Sequence, residues 1–179
     1  ALGHAVSPQG RDRIRDYLGV LRSTVLRLAH LVESDQIVVS AGGSTHFDLV
    51  AEILATGWPD GLDIRTVVRS GCYLTHDDGL YRRTSPFTRA GSTANLRPAL
   101  SVWAQVCSKP EPDLALLTLG RRDVSFDQDL PVPRGVAGAE VVNLNDQHAY
   151  LRLESQHTRD ADVGDWLEFG ISHPCTVFD

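Results

Sequence analysis

The chain has 179 residues, of which 42% are hydrophobic and 22% are charged, and its formal net charge is −6. This is enough apolar material for the core of one domain or of two small ones, which excludes wholesale disorder. The absence of a basic surplus argues against nucleic-acid binding, and no apolar run is long enough to span a bilayer.

The first part of the chain alternates between helix and strand patterns. A Ser-Pro pair at 7–8 is typical of a helix start, and apolar residues then recur at steps of three and four over 14–28, which predicts a long amphipathic helix. Two buried strands are predicted at 36–40 and 64–68, with a helix between them. This order predicts a parallel α/β fold, in which functional turns follow the carboxyl ends of the strands.

The second part of the chain has a different pattern. Residues 75–98 are polar and turn-rich, which predicts a loop excursion. Short runs with partial alternation then follow, separated by Gly, Pro and Asp turns, at 100–106, 113–119, 140–144, 148–153 and 165–169. They predict an antiparallel β domain, so the fold class is α/β plus all-β.

Cysteine, methionine and lysine usage gives further expectations. The three cysteines are widely spaced and do not form a disulfide framework, and no signal peptide is present, which favours a reducing, cytoplasmic location. Methionine is absent even at position 1, which suggests that the chain is part of a longer protein. Lys109 is the only lysine, and the flanking Pro110 and Pro112 predict a surface turn there.

The turn over Gly42, Gly43, Ser44 and Thr45 lies between a predicted strand and a predicted helix. Glycines let backbone N–H groups approach a ligand closely, and a helix N-terminus adds a positive dipole, so the turn is a candidate phosphate site. The alternative is that Thr45 is only the N-cap and Asp48 completes a capping box. The residues alone leave both interpretations open.

A second glycine turn, Ser70-Gly71-Cys72-Tyr73, ends the next predicted strand. Neighbouring parallel strands end at the same edge of a sheet, so this turn could bind the same phosphate. The alternative is a simple turn with a buried, inert thiol.

His173-Pro174-Cys175 is the sharpest motif. On an extended segment, residues two apart point the same way, and imidazole and thiolate both suit Zn²⁺. Two protein ligands suit an open catalytic site, in which water and substrate complete the coordination. A core cysteine beside a surface histidine is the alternative, and His148 is a further candidate as a third contributor or a base.

Two other clusters have weaker functional interpretations. Asp77 and Asp78, beside His76, could line the mouth of an active site, although a solvated loop is favoured. Arg121 and Arg122, followed by Asp123, could bind a carboxylate or form a surface turn.

Six segments in this order resemble the C-terminal half of a fold-type III pyridoxal-phosphate (PLP) enzyme of the D-threonine aldolase and D-serine dehydratase group, especially its bacterial amino acid deaminases. They are the Gly-Gly turn at 39–45, Ser-Gly-Cys-Tyr within 68–73, Gly-Arg-Arg-Asp within 120–127, Asn-Asp-Gln-His at 145–148, Gly-Asp within 163–166 and His-Pro-Cys within 173–176. The resemblance implies the last βα units of an alanine-racemase-like (β/α)8 barrel of the TIM type over 1–92. A D-serine dehydratase-like β domain would follow over 93–179.

The resemblance also implies a site. The residues that would bind the cofactor phosphate are Ser44, Thr45, Gly71, Cys72 and Tyr73. His173 and Cys175 would hold a divalent metal, and the cysteine favours Zn²⁺ and the dehydratase branch. The family's cofactor lysine lies near the first barrel strand, so Lys109 does not match it, and an N-terminal barrel half is expected as a partner.

The implied activity is that of a lyase which converts a D-amino acid such as D-serine or D-threonine to a keto acid and ammonia. One alternative activity is aldolase-type cleavage to glycine and an aldehyde. A non-enzymatic alternative is that the chain is a metal- or phosphate-binding module without catalytic activity. Without the cofactor lysine, the chain alone is expected to be inactive. A homodimer is expected from the resemblance.

Overall fold

The computed structural model describes residues 5–93, 95–158 and 160–178, and these form two compact units. The α/β unit comprises the described residues up to Tyr73 together with those from Thr84 to 93. The β unit comprises Leu74–Arg83 and the described residues from Asn95 onward.

The α/β unit follows the predicted order of helix, strand, helix and strand. Its elements are α1 (Pro8–Leu28), β1 (Gln36–Gly42), α2 (Phe47–Leu54) and β2 (Asp63–Arg69). The hydroxyl of Ser7 accepts the N–H of Gly10, so the predicted N-cap of α1 is confirmed. The two strands pair in parallel from Gln36–Asp63 to Gly42–Arg69. The predicted parallel arrangement is therefore confirmed for these two strands, and the complete barrel stays a prediction.

The core of the α/β unit lies where α1 and α2 cover one face of the strands. It consists of Leu18, Val39, Ala41, Leu49, Val50 and Leu54. Alternate residues of β1 point to this face. The last residues of the strand, and the turn that follows them, lie at one end of the core.

The alternative interpretation of the first glycine turn, a capping box of Thr45 and Asp48, is wrong. His46, not Thr45, occupies the N-cap position, and no side chain caps the helix there. Asp48 instead forms salt bridges with Arg11 at 3.3 Å and with Arg89 at 3.1 Å. The carboxylate is therefore used in tertiary contacts, which a local sequence pattern does not show.

The region predicted as a loop excursion contains two short helices, α3 (Leu80–Thr84) and α4 (Pro86–Arg89). His76 is 4% exposed and Asp77 is fully buried, so the favoured interpretation of a solvated loop is wrong. Buried polar groups of this kind have to be hydrogen-bonded within the protein.

The β unit is a six-stranded sheet in which every strand pairing is antiparallel, as predicted. Its strands are β3 (Ser101–Glu111), β4 (Leu114–Leu117), β5 (Val132–Arg134), β6 (Ala139–Leu144), β7 (Ala149–Leu153) and β8 (Trp166–Gly170). The order across the sheet is β5, β8, β3, β4, β7, β6. The sequence analysis missed β5, a three-residue strand that contains a proline.

Lys109 does not lie on a surface turn but within β3. Its side chain is only 16% exposed, and its ammonium donates to the carbonyls of Thr158 and Ala161 and to the carboxylate of Asp162. An ammonium has three donors, so these three partners use all of them. Lys109 therefore fastens the segment before β8 to the sheet.

Cys72, Cys107 and Cys175 form no disulfide. Within the part of the chain that the structure describes, no helix combines the length and the apolar character needed to cross a bilayer.

Candidate functional site

Two glycine-containing turns lie side by side at one end of the β1–β2 pair; we call them the rim turns, over residues 42–46 and 70–73. Gly42 is the register partner of Arg69, so the two strands end together. The rings of Phe47 and Tyr73 meet edge to face with centroids 4.9 Å apart. The structure therefore brings together the two turns in which the sequence predicted a phosphate site.

Glycine occurs in the two turns for different physical reasons. Gly43 has φ +120°, a backbone conformation that residues other than glycine rarely adopt. Gly71 has no such φ, and a Cβ built on it would meet nothing within 4 Å. Neither packing nor backbone conformation therefore requires glycine at 71, and its backbone faces open space that a ligand can approach.

The donor chemistry of the rim turns suits an anion. The N–H groups of Leu49 and Val50 bind the carbonyl of His46, which leaves the first two of α2, those of Phe47 and Asp48, for another acceptor. The helix dipole adds partial positive charge there. The turns thus fit a phosphate through backbone groups.

The predicted phosphate-binding side chains differ in accessibility. Thr45 is 1% exposed, and its hydroxyl lies 3.4 Å from that of Thr84. Cys72 is also buried, whereas Ser44 is half-buried and Tyr73 is exposed. Partial burial raises the pKa of the Tyr73 phenol above its ordinary value, so the phenol stays protonated at neutral pH. Thr45 and Cys72 would therefore contribute backbone N–H groups rather than side chains.

Arg89 hydrogen-bonds to the first rim turn and to α2, a role that the sequence analysis missed. Its guanidinium donates to the carbonyl of Thr45 at 2.8 Å and to that of Thr84, and its other terminal nitrogen binds Asp48 at 3.1 Å. The side chain is 17% exposed. An arginine can make these contacts at once because its planar group carries several fixed donors. The turn, α2 and α4 are thereby joined.

In the β unit, the chain's C-terminal segment meets the start of α3; we call Asp77, Tyr81, Asp127, His173 and Cys175 the tail cluster. One oxygen of Asp77 accepts the N–H groups of Gly79, Tyr81 and Arg82 at 3.1, 2.8 and 3.2 Å. The other accepts the N–H of His173 at 2.8 Å. One buried carboxylate therefore both orders the first turn of α3 and fixes the backbone of the tail.

Ser172 and Asp129 support the same junction. The Ser172 hydroxyl accepts the N–H of Leu80 at 3.1 Å and donates to Asp129 at 2.7 Å. Arg83 donates to both oxygens of Asp129 at 2.9 and 2.8 Å. Burial raises the pKa of Asp129, but the bonds from Ser172 and Arg83 outweigh it and lower the pKa below its ordinary value.

The predicted extended geometry of His173–Cys175 is wrong. His173 has the left-handed φ of +58°, and Pro174–Thr176 form a 3-10 turn. The Asp77 bond to the His173 N–H holds the backbone in this conformation. The two side chains therefore do not have the alternation of a strand.

Asp127, which the sequence analysis did not single out, binds the His173 ring. One of its oxygens lies 2.6 Å from Nδ1, and the other accepts the Thr176 hydroxyl at 2.9 Å. Burial raises the pKa of Asp127, but the hydrogen bonds from His173, Thr176 and Gln128 outweigh this effect, so the pKa lies below its ordinary value. An ionised carboxylate only accepts, so we assign the proton to Nδ1, and the neutral ring then has its lone pair on Nε2.

Tyr81 places the imidazole and the thiol in one neighbourhood. Its ring centroid is 6.2 Å from that of His173, and its hydroxyl is 3.8 Å from Sγ of the exposed Cys175. Within residues 5–93, 95–158 and 160–178, no group of three or more His, Cys, Asp or Glu has the arrangement of a metal site. The donor set fits an open two-ligand site, with a carboxylate on the far ring nitrogen as metal-binding histidines usually have.

The structure places His148 in a different setting from the tail motif. It lies in the exposed turn between β6 and β7, and with Arg121, Asn145, Asp146 and Gln147 it lines an open cavity of about 380 Å³. Arg121 stacks over Phe126 at 5.2 Å, and the carboxylate of Asp123 accepts the N–H of Gly120. These contacts make the segment at 120–123 a structured surface turn.

Comparison with known proteins shows what the chain is similar to. Residues 99–179 match the family model described as a putative serine dehydratase domain. The fold is similar to that of a D-threonine aldolase from Filomicrobium marinum, at 23% identity and a TM-score of 0.72, over 98% of this chain and 43% of that one. It is also similar to an alanine racemase-like protein from Idiomarina loihiensis, at 20% identity and a TM-score of 0.65, over 98% of this chain and 47% of that one. No curated protein matches the chain in sequence.

The predicted resemblance is therefore confirmed at the level of the fold, which is similar to that of a D-threonine aldolase and of an alanine racemase-like protein. The match to the serine dehydratase domain model covers residues 99–179, which is less than half of the chain. The chain spans less than half the length of either solved relative.

Proposed function

We propose that this chain forms the C-terminal part of a PLP-dependent, zinc-assisted lyase that acts on D-amino acids with a β-hydroxyl group. The observation that carries the proposal is the His173 imidazole, oriented by Asp127 at 2.6 Å beside Cys175. This pair lies within the segment that matches the serine dehydratase model.

The rim turns would bind the cofactor phosphate. The space at Gly71 and the N-terminal N–H groups of α2 support this role. Ser44 would add a hydroxyl, and the protonated Tyr73 phenol could donate one hydrogen bond. Bound PLP supplies an electron sink for the electrons that remain on Cα when a proton is removed.

His173 and Cys175 would hold the zinc ion, through Nε2 and the thiolate. A zinc ion with open coordination positions supplies a Lewis acid for an oxygen of the substrate. The role of the chain is to orient the imidazole through Asp127 and to keep the thiol beside Tyr81.

The cofactor lysine would come from another segment, the N-terminal barrel half. Lys109 is the only lysine of the chain, and its ammonium is held by Thr158, Ala161 and Asp162. The uncovered part of both solved relatives leaves room for such a segment. We propose a homodimer for the assembled enzyme, which light scattering would test.

The dehydratase reaction removes the α-proton and the β-hydroxyl of D-serine as water, and uptake of one water then gives pyruvate and ammonia. The serine dehydratase model favours this reaction over aldol cleavage. Product analysis of the assembled enzyme separates the two: pyruvate from D-serine supports the dehydratase, whereas glycine and acetaldehyde from D-threonine would show an aldolase.

The metal site is testable on the chain itself by zinc analysis after dialysis. We expect Cys175→Ser and His173→Gln to lose the zinc that the wild type retains, since each removes one of two ligands. Cys107→Ser is the matched control, because Cys107 is also exposed but lies on β3. Equal zinc in Cys175→Ser and the wild type would refute the assignment.

A further inference from the structure

We propose that Asp127 is a positioning residue for the metal site: its carboxylate bridges His173 and Thr176, on either side of Pro174-Cys175, and so directs the imidazole and the thiol toward one ion. This inference rests on the zinc site proposed above and extends it to a residue that does not itself bind the metal.

The geometry of the bridge is the first argument. One oxygen of Asp127 accepts from the His173 ring at 2.6 Å and from the Gln128 amide at 3.3 Å, and the other accepts from the Thr176 hydroxyl at 2.9 Å. The turn between them is closed by the Thr176 N–H, which donates to the His173 carbonyl at 3.3 Å. Asp127 therefore fixes both ends of a turn that contains the thiol.

The second argument is that Asp77 and Asp127 bind different parts of His173. Asp77 binds the backbone N–H of His173 and sets the path of the chain, but it does not define the angle of the ring. Asp127 binds Nδ1, so rotation of the ring would break that bond. With Nδ1 as the donor, the lone pair of the imidazole is on the nitrogen that a metal would use.

The partners of Asp127 distinguish it from a neighbouring carboxylate. One of its oxygens accepts from the His173 ring and from the Gln128 amide, and the other accepts from the Thr176 hydroxyl. The nearby Asp129 has a different set of partners, Arg83 and Ser172, which do not include the His173 ring. It therefore offers a matched comparison two residues away.

The test is zinc affinity of the full chain, measured by competition with a chromophoric chelator, for Asp127→Asn and Asp129→Asn. The amide of Asp127→Asn keeps one acceptor and loses the other, so we expect about a 10- to 100-fold weaker affinity. Asp129→Asn removes a support of the same junction without contacting the His173 ring, so it should lower the melting temperature but weaken zinc affinity much less than Asp127→Asn does. The cobalt–thiolate absorption of the Co²⁺-loaded chain should weaken more in Asp127→Asn than in Asp129→Asn.

A second readout separates positioning from general stability. In nitrogen NMR of the metal-free chain, His173 should carry its proton on Nδ1 in the wild type and lose that preference in Asp127→Asn. If Asp127→Asn does not fold, Thr176→Val removes only the hydroxyl arm of the bridge and should still weaken zinc binding.

Each outcome has a distinct meaning. If the wild type binds no zinc, the proposed metal site fails, and the role of Asp127 fails with it. If the wild type binds zinc through Cys175 but Asp127→Asn binds it equally well, only the positioning role fails. A complete loss in Asp127→Asn, equal to that of His173→Gln, would make Asp127 a ligand and would also overturn the inference.

Discussion

Two histidines have backbone conformations that are uncommon for residues other than glycine. His76 and His173 have φ values of +47° and +58°. Each such conformation costs on the order of 1–3 kcal/mol and persists where surrounding contacts over-determine it. The contacts are present: His76 precedes the buried Asp77, and the same carboxylate binds the N–H of His173. The tail motif is therefore held by bonds rather than by its local sequence.

Burial of His76 leads to a prediction about pH. Desolvation lowers its pKa, and Arg82 lowers it further, while Asp77 and Asp78 act in the opposite direction. A depressed pKa means that the unfolded chain takes up the proton first, so stability is fully present above the unfolded value of about 6.5 and falls as the pH drops below it.

The measurement is the free energy of unfolding from about pH 7 to about pH 5, for the wild type and His76→Asn. Asparagine is tolerated in the left-handed region, so this variant removes the titration without requiring a new backbone conformation. We expect a smaller loss of stability on acidification in His76→Asn. Identical pH slopes would show that His76 does not contribute.

The space at Gly71 gives a second prediction at the same scale. Gly71→Ala should leave stability unchanged or slightly higher, because its Cβ meets nothing within 4 Å. It should weaken binding of PLP, and of inorganic phosphate as its competitor, because the methyl group fills the space above the second rim turn. Equilibrium dialysis with each probe measures this effect.

Gly19→Ala is the control for Gly71→Ala, because a Cβ there also meets nothing within 4 Å. Gly19 lies on α1, outside the rim turns. Wild-type phosphate binding by Gly71→Ala would mean that the open space at the second turn is not the phosphate site.

Among the elements, those with long regular patterns could be predicted and the short ones could not. The periodicity of α1 and the apolar runs of β1 and β2 are local properties, so the sequence shows them directly. The helices α3 and α4 have five and four residues, too few for a periodic pattern. Their stability comes from bonds between distant residues.

The same distinction applies to the candidate site. His173 and Cys175 could be found because their spacing is itself a signal. Asp77 was named as a possible residue of an active-site mouth, but its bond to His173 could not be predicted, because 96 positions separate the two. Asp127 lies 46 positions from His173 and was not found at all. Sequence analysis therefore found the residues with metal-binding chemistry but not the contacts that orient them.

Arg89 allows an experimental test of how α4 supports α2. Arg89→Gln removes the guanidinium that donates to the Thr45 carbonyl, and it leaves Asp48 with Arg11 as its cationic partner. We expect a loss of about 1–3 kcal/mol in the free energy of unfolding, measured in urea. Arg13→Gln, an exposed position on the same unit, should change stability much less. Equal effects would show that the Arg89 contacts are not stabilising.

At the scale of the whole molecule, the two candidate sites depend on two separate hydrophobic clusters. The rim turns follow strands packed in the cluster around Leu49, whereas the tail follows β8, whose Phe169 lies in the cluster around Leu151. We therefore expect mutations in different cores to weaken the proposed phosphate and metal binding separately.

The last prediction uses one chemical change in both clusters. Leu49 and Leu151 are each fully buried, so either leucine-to-alanine change should cost about 2–5 kcal/mol. Hydrogen exchange should show reduced protection in β1 and β2 for Leu49→Ala, and in the six-stranded sheet for Leu151→Ala. Leu49→Ala should then weaken phosphate binding more than zinc binding, and Leu151→Ala the reverse. Equal loss of both by either variant would mean that the two sites depend on a single cooperative core.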